Sequence, residues 1–455
     1  MTSDNQHFLL TRPRAVLSLV VMLAFTGNIA GRAEPAPPFI SAVLTDYGAD
    51  ARGERDSSEA FARVLTAAGT NRHIRISIPP GRYRLASRVL LTAAGNSSNY
   101  GLHIQGAGEN VTELVVDNAE GGLAFVGKHL TRMSVIVSDL SLVAARNGAG
   151  TALAFDTANA GVQNDRQFTA RDLTIRGEKF DRGHFNTAVH VRNAWFTLLH
   201  NIKVTQQYQP AIRDQAFNTE YNFLLEDCYS PSLTDCRALG GRYGLVHRAV
   251  NMKPDAPEDG IIRGCYFVGQ AEGVVIDMKK GAGEWPEPGL HMDNCHVAYR
   301  DQGLNIRGVQ QANISHCLFY CLDRTGTPWH VPDVMPVPGG TKEKRRDYAP
   351  CDINFEFGAN IVVDGNIFTE PANPNRVAVR IGPRSGHILI SGNQFNVSGT
   401  AIKNESREPS YASGNTFGGK PDWSAGLTPY ADAPHTLATR DFPPPPRAPS
   451  TGGRP

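Results

Sequence analysis

The chain has 455 residues, of which 41% are hydrophobic and 20% charged, and its formal net charge is +1. It is long enough for a large core, its composition is that of a folded protein, and it has no global charge excess to attract nucleic acid. Residues 1–33 read as an export signal. Arg12 and Arg14 precede the apolar stretch Ala15 to Phe25, and Gly31-Arg32-Ala33 offers small residues for cleavage. That apolar run is short for a bilayer span, and no second span follows. The expected location is secreted or periplasmic, with an uncleaved anchor as the alternative. Export permits disulfides, although seven cysteines leave at least one unpaired.

Residues 34–120 read as a cap and the first coils of a repeat. An amphipathic helix starts at Asp56-Ser57-Ser58-Glu59-Ala60-Phe61 and runs to about Ala68, followed by the strand-like stretch Ile74 to Tyr83.

Residues 121–420 carry the repeat itself. One half is an apolar segment ending in a turn and a small or amide residue. This turn column runs Asn201, Cys228, Cys265, Cys295, Cys317, Asn366, Asn393, Asn415, with Leu140 and Leu173 before it. The other half is a short strand opening with a small residue. Examples are Ala152-Leu-Ala-Phe, Ala188-Val-His-Val, Ala211-Ile-Arg-Asp, Gly244-Leu-Val-His, Gly273-Val-Val-Ile, Gly303-Leu-Asn-Ile and Asn354-Phe-Glu-Phe. A single coil cannot bury its own apolar face, whereas stacked coils share one core. The fold class expected is therefore all-β, a right-handed parallel β-helix (solenoid) with an N-terminal capping helix. Residues 421–455 lose strand patterning and end in a Pro-rich tail.

The segment 43–85, with its helix followed by Ile-Pro-Pro-Gly-Arg-Tyr, resembles the opening of the pectate-lyase and polygalacturonase-like β-helix superfamily. It has Asp56-Ser57-Ser58 where paired aspartates are common there. The resemblance implies polysaccharide lyases, glycoside hydrolases, epimerases or tailspike-like proteins, and it implies a substrate groove along the strands that open with Ala or Gly.

Two outward columns follow from those strands. One reads Ala154, His190, Arg213, Val246, Val275, Asn305, Glu356, Arg380, Lys403. The other reads Asp156, Arg192, Gln215, Arg248, Asp277, Arg307. Arginine forks match carboxylates and sulfates, so Arg192, Arg248 and Arg307, with His190, Tyr243 and Asn305, are candidate binders of an acidic polysaccharide. The same columns also read as a solvated ladder of alternating charges. His247 and Asp214 fall inward. Glu226 and Asp227 fall at a turn, away from the groove.

The resemblance to polygalacturonases implies acids just before these strands. Glu272 in Ala271-Glu272-Gly273 matches the aspartate before glycine, and Asp301 in Asp301-Gln302-Gly303 matches the first of an Asp-Asp pair; the second is Gln302, and the Gly-His-Gly step is missing. Glu272 and Asp301 are the candidate catalytic pair, with Asp277 as a third acid. Stacking puts their backbones about 5 Å apart, and the one-residue offset adds up to ~3.3 Å.

Three functions stay open: hydrolysis by Glu272 and Asp301; β-elimination on a uronan by Arg248, Arg307, Tyr243 and Lys279, with calcium at Asp277; and carbohydrate binding without catalysis. No nucleotide or zinc fingerprint is present, so no cofactor is expected apart from calcium in a lyase. The partner expected is a polysaccharide, and the protein is read as a monomer or homotrimer. Trp285 and Trp329 in long loops either stack on sugar or anchor those loops. Cys321 and Cys351 bracket an insertion and are expected to form a disulfide.

Overall fold

Small residues open the repeated strands because the next coil lies directly against them. A Cβ at Gly273 would stand 2.4 Å from Val297 Cγ1 and 2.7 Å from the Gly303 carbonyl oxygen. Stacked this way, the chain forms a parallel β-helix in the computed structural model. The structure describes residues 39–418, except 70–72, 94–99, 128–132, 158–165, 180–181, 206–218, 251–258, 279–286, 323–349 and 370–372, together with 428–429. The signal segment, the rest of the Pro-rich tail, Arg213, Asp214, Lys279, Trp285 and Trp329 lie outside the described residues.

Three faces stack in register, and every strand pair is parallel. One face runs from Phe39–Val43 through His73–Ser77 and Tyr100–Gln105 to Tyr411–Ser413 and Thr428–Pro429. A second starts at Gly81–Leu85 and ends at Thr416–Phe417. The third, here called the site sheet, runs from Val89–Ala93 through Thr187–Arg192, Tyr221–Glu226 and Tyr243–Arg248 to Thr400–Asn404. Inward residues form one continuous core that includes Phe155, Phe223, Phe267, Phe319 and Phe355.

The helix Ser58–Ala68 buries Ala60, Phe61, Val64 and Ala68 against the first coils. Covering that end hides sheet edge that would otherwise pair with other chains. Asp56 accepts backbone N–H groups from Ser58 and Ala86 at 3.0 and 2.9 Å, and so ties the helix start to the sheet.

The turn column differs from the expected one at two places. The register stacks Leu140, Leu173 and Ile202, and it aligns the neighbours of Cys236, Cys265, Cys295 and Cys317 coil on coil. Asn366, Asn393 and Asn415 continue the stack as a hydrogen-bonded amide ladder at 3.0 Å per step. Asn201 stands one position earlier, among Asp139, Asp172, Asp235, Asn294 and His316, all with positive φ. That position turns the corner between two faces with one left-handed residue, which Asn, Asp and Gly tolerate best. Cys228 belongs to a separate turn, where its thiol donates to the Val191 carbonyl at 3.5 Å.

The expected Cys321–Cys351 disulfide is not formed; all seven cysteines are buried thiols. Cys321 lies over Tyr299 and Cys351 over Gln302, three positions apart on the strand beneath. The Cys351 thiol is used locally, donating to the Ile353 carbonyl at 3.2 Å. A buried ion pair holds this part of the coil instead. Arg376 donates to Asp352 at 2.6 and 2.9 Å, and Tyr299 adds its hydroxyl at 2.7 Å.

Candidate functional site

The outward face of the site sheet carries three rows. The first passes through Thr187, Tyr221, Tyr243, Glu272 and Gln302. The second runs Ala154, His190, Leu224, Val246, Val275, Asn305, Asn354, Arg380 and Lys403. The third runs Asp156, Arg192, Glu226, Arg248, Asp277 and Arg307.

Three expected positions change. The strand Tyr221–Glu226 occupies the place given to Ala211-Ile-Arg-Asp, so Leu224 and Glu226 stand where Arg213 and Gln215 were expected. Glu226 therefore lies on the site sheet rather than away from it. Further on, Asn354 replaces Glu356 in the second row, because Cys351 already pairs with Gln302 and the strand starts two residues earlier than the motif suggested. A cue was available in the sequence: Tyr221-Asn-Phe-Leu-Leu-Glu226 has the length and apolar content of a full strand.

Glu272 and Asp301 meet at the start of the sheet. Glu272 pairs in register with Gln302, so Asp301 lies one residue before its direct neighbour. Burial, and then the charge of Glu272, pushes the Asp301 carboxyl up to about 7, against the pull of Arg242. Asn305 Nδ2 donates to Glu272 Oε2 at 3.4 Å. Arg242, one coil earlier, lies over the Tyr243 ring at 5.1 Å and pairs with Glu220 at 3.3 Å. Burial and the nearby Glu272 hold the Tyr243 hydroxyl well above its ordinary range, so it stays protonated. Tyr243 stacks on Tyr221 at 5.3 Å, and both pack with Leu224, Val246 and Val275 in an apolar patch on the outward face. Arg242, Glu220 and Asn354 were not among the candidate site residues of the sequence; only the stacking register brings them to the site.

The third row is a ladder of alternating charge. Arg248 grips Glu226, and His190 Nε2 lies 2.8 Å from the other carboxylate oxygen. Burial alone would raise the Glu226 carboxyl, but these two partners hold it down at about 2. Arg307 pairs with Asp277 at 3.2 Å and with Glu356 at 3.1 Å. Arg192 sits in register between Asp156 and Glu226. His247 points into the core, 2% exposed, with its Nε2 3.2 Å from the Cys228 carbonyl oxygen.

Calcium at Asp277 does not fit this arrangement. The carboxylate is taken up by Arg307, and among the described residues no three metal-ligating side chains converge. Among the described residues no helix is long and apolar enough to cross a membrane.

Comparison with known proteins agrees with this architecture. The pre-mature gene product 12 of bacteriophage phi29 superposes with a TM-score of 0.51 at 12% identity, over 82% of this chain and 52% of that one. The A-module of the Azotobacter vinelandii mannuronan C-5 epimerase AlgE4 gives 0.45 at 14% identity, over 86% and 100%. Tailspike protein 3 of bacteriophage CBA120 gives 0.46 at 15%, over 88% and 60%. The phi29 likeness is one of fold. No curated protein matches the chain in sequence. Residues 39–300 match the profile of the family described as rhamnogalacturonase A/epimerase, pectate lyase-like. With that match over more than half its length, on a stack of parallel coils that aligns an acid pair on one outward face, the chain belongs to the rhamnogalacturonase A/epimerase, pectate lyase-like family.

Proposed function

We propose that this protein is an exported enzyme that hydrolyses glycosidic bonds in a polysaccharide, with Asp301 as general acid and Glu272 as general base. The observation that carries this reading is the acid pair on consecutive coils. One carboxyl is held protonated near neutral pH by burial and by the charge of the other. Two carboxyl groups with their proton affinities pushed apart are what acid–base cleavage of a glycosidic bond needs. Asp301 gives its proton to the leaving oxygen, and Glu272 takes one from the attacking water. The one-residue offset favours a separation that leaves room for that water, hence inversion. The stacked Tyr221 and Tyr243 offer aromatic surface beside the pair on which a sugar ring can rest.

Family membership supports action on a polysaccharide. The charge ladder bears on which one. Arg248 and Arg307 are neutralised by Glu226, Asp277 and Glu356, so they are not open anion sites. This removes the main support for an acidic polymer bound through the ladder, and for an elimination in which those arginines neutralise a uronate. Product analysis on a panel of neutral and acidic polysaccharides tests the proposal. A new reducing end without an ultraviolet-absorbing double bond supports it, the double bond indicates elimination, and neither product indicates binding alone.

A further inference from the structure

A chain of hydrogen bonds leads away from Glu272 along the second row of the site sheet. Asn305 Nδ2 donates to Glu272 Oε2 at 3.4 Å, and Asn354 Nδ2 donates to Asn305 Oδ1 at 3.2 Å. Arg380 Nη1 then donates to Asn354 Oδ1 at 2.9 Å, while its Nη2 pairs with Glu405. Asn305, Asn354 and Arg380 stand directly over one another on successive coils. The two asparagines are buried, at 0% and 1% exposure.

An amide side chain can be turned end for end, so neither asparagine alone decides which atom it shows to a neighbour. The arginine removes that freedom. A guanidinium only donates, so Asn354 must turn its oxygen toward Arg380. Its nitrogen then faces Asn305, which must meet it with oxygen. The nitrogen of Asn305 is left for Glu272, which must accept. One cation thus orders every bond in the row, and bonds aligned in a buried chain polarise one another. A carboxylate at the receiving end is favoured in its ionised form, and this adds to the charges of Arg242 and Arg307, which act on Glu272 beside Tyr243 and Asp301.

We infer that Arg380, acting through Asn354 and Asn305, is a positioning residue that keeps Glu272 ionised and so leaves the proton of the acid pair on Asp301. Its catalytic meaning rests on the proposed hydrolysis, but the direction of the bonds does not. A purely structural ladder makes a different forecast: its loss lowers stability without moving the proton.

The test is a carboxyl titration of the full chain by NMR, with ¹³C at the Asp and Glu carboxyls. The signals are assigned with Asp301→Asn and Glu272→Gln. In the parent protein an aspartate is expected to titrate near 7. In Arg380→Met and in Asn354→Leu that midpoint is expected to fall by about one pH unit, and the Glu272 midpoint to rise, as one charge-assisted hydrogen bond is lost. Arg380→Lys, which also only donates, is expected to restore the parent pattern. The inference is overturned by an unmoved Asp301 midpoint in either folded variant, whatever its melting temperature. Cleavage does not enter this measurement, so a failed relay and a failed hydrolytic reading are told apart.

Discussion

Arg248 reaches one coil back and places two guanidinium donors on a single oxygen of Glu226, Nε at 2.9 Å and Nη2 at 2.7 Å. The other oxygen is left to His190. This clamp ties three consecutive coils of the site sheet together through side chains, in addition to their backbone ladder. Its consequence is measurable as acid sensitivity. Glu226 titrates at about 2 in the folded protein against an ordinary 4.5. A lowered carboxyl stabilises the fold above its unfolded value, and that stability is lost as pH falls through the folded one. Urea unfolding is expected to show a loss of roughly 3 kcal/mol between pH 4.5 and 2 from this group. In Glu226→Gln the loss over this window should shrink by a similar amount, and stability at pH 7 should drop. An unchanged acid profile would mean that the clamp is not formed in solution.

Asp301 runs in the opposite direction. Its carboxyl is raised to about 7 from 3.8, so the folded state holds the proton more tightly than the unfolded chain. The fold therefore loses stability as pH rises from about 4 through 7. Asp301→Asn should be more stable than the parent protein at pH 8, by about 1–3 kcal/mol after allowing for partial solvent contact. The same variant should lose turnover by a factor of about 10²–10⁴ on the polymer the enzyme cleaves, as should Glu272→Gln. Parent activity should fall along a basic limb near pH 7 as Asp301 deprotonates. Folded variants with near-full turnover would remove the pair from the mechanism.

The charge ladder predicts a weak response to salt. Because Arg248 and Arg307 are matched by acids, affinity for an acidic polymer should change less than about threefold between low and physiological ionic strength, where free surface charges would be screened over about 8–10 Å. Arg307→Met should lower thermal stability, since it leaves Asp277 and Glu356 facing each other across the coil. Steep loss of binding with salt would instead identify the arginines as polymer contacts.

The thiols predict low reactivity. Cys236, Cys265, Cys295 and Cys317 stack in the core at 2% exposure or less, and Cys321 and Cys351 are as deeply buried. Mass mapping of the native protein without reductant should find no bond between Cys321 and Cys351, and alkylation should be slow until the chain unfolds. Ser at either position should destabilise by about 1–3 kcal/mol through an imperfectly satisfied hydroxyl. A recovered Cys321–Cys351 peptide would restore the staple that the sequence suggested.

The repeat was legible because a stacked fold writes itself into sequence at nearly fixed intervals. Each coil needs inward apolar residues, a small residue where the next coil presses close, and a left-handed corner. Gly273, Gly303 and the Asp139–Asp172 corner positions all obey those demands locally. Glu272 and Asp301 were candidates through the resemblance to polygalacturonases, which places acids just before such strands. Register could not be read so directly. A strand offers the same alternation at neighbouring frames, and only the contact between coils selects one. That contact placed Glu226 on the site sheet, put Asn354 in the row of Asn305, and gave Arg248 and Arg307 acidic partners. The sequence by itself determined a parallel β-helix. The tertiary structure decided which charges neutralise one another and which carboxyl keeps its proton, because those depend on distances between coils some 20–50 residues apart in the chain.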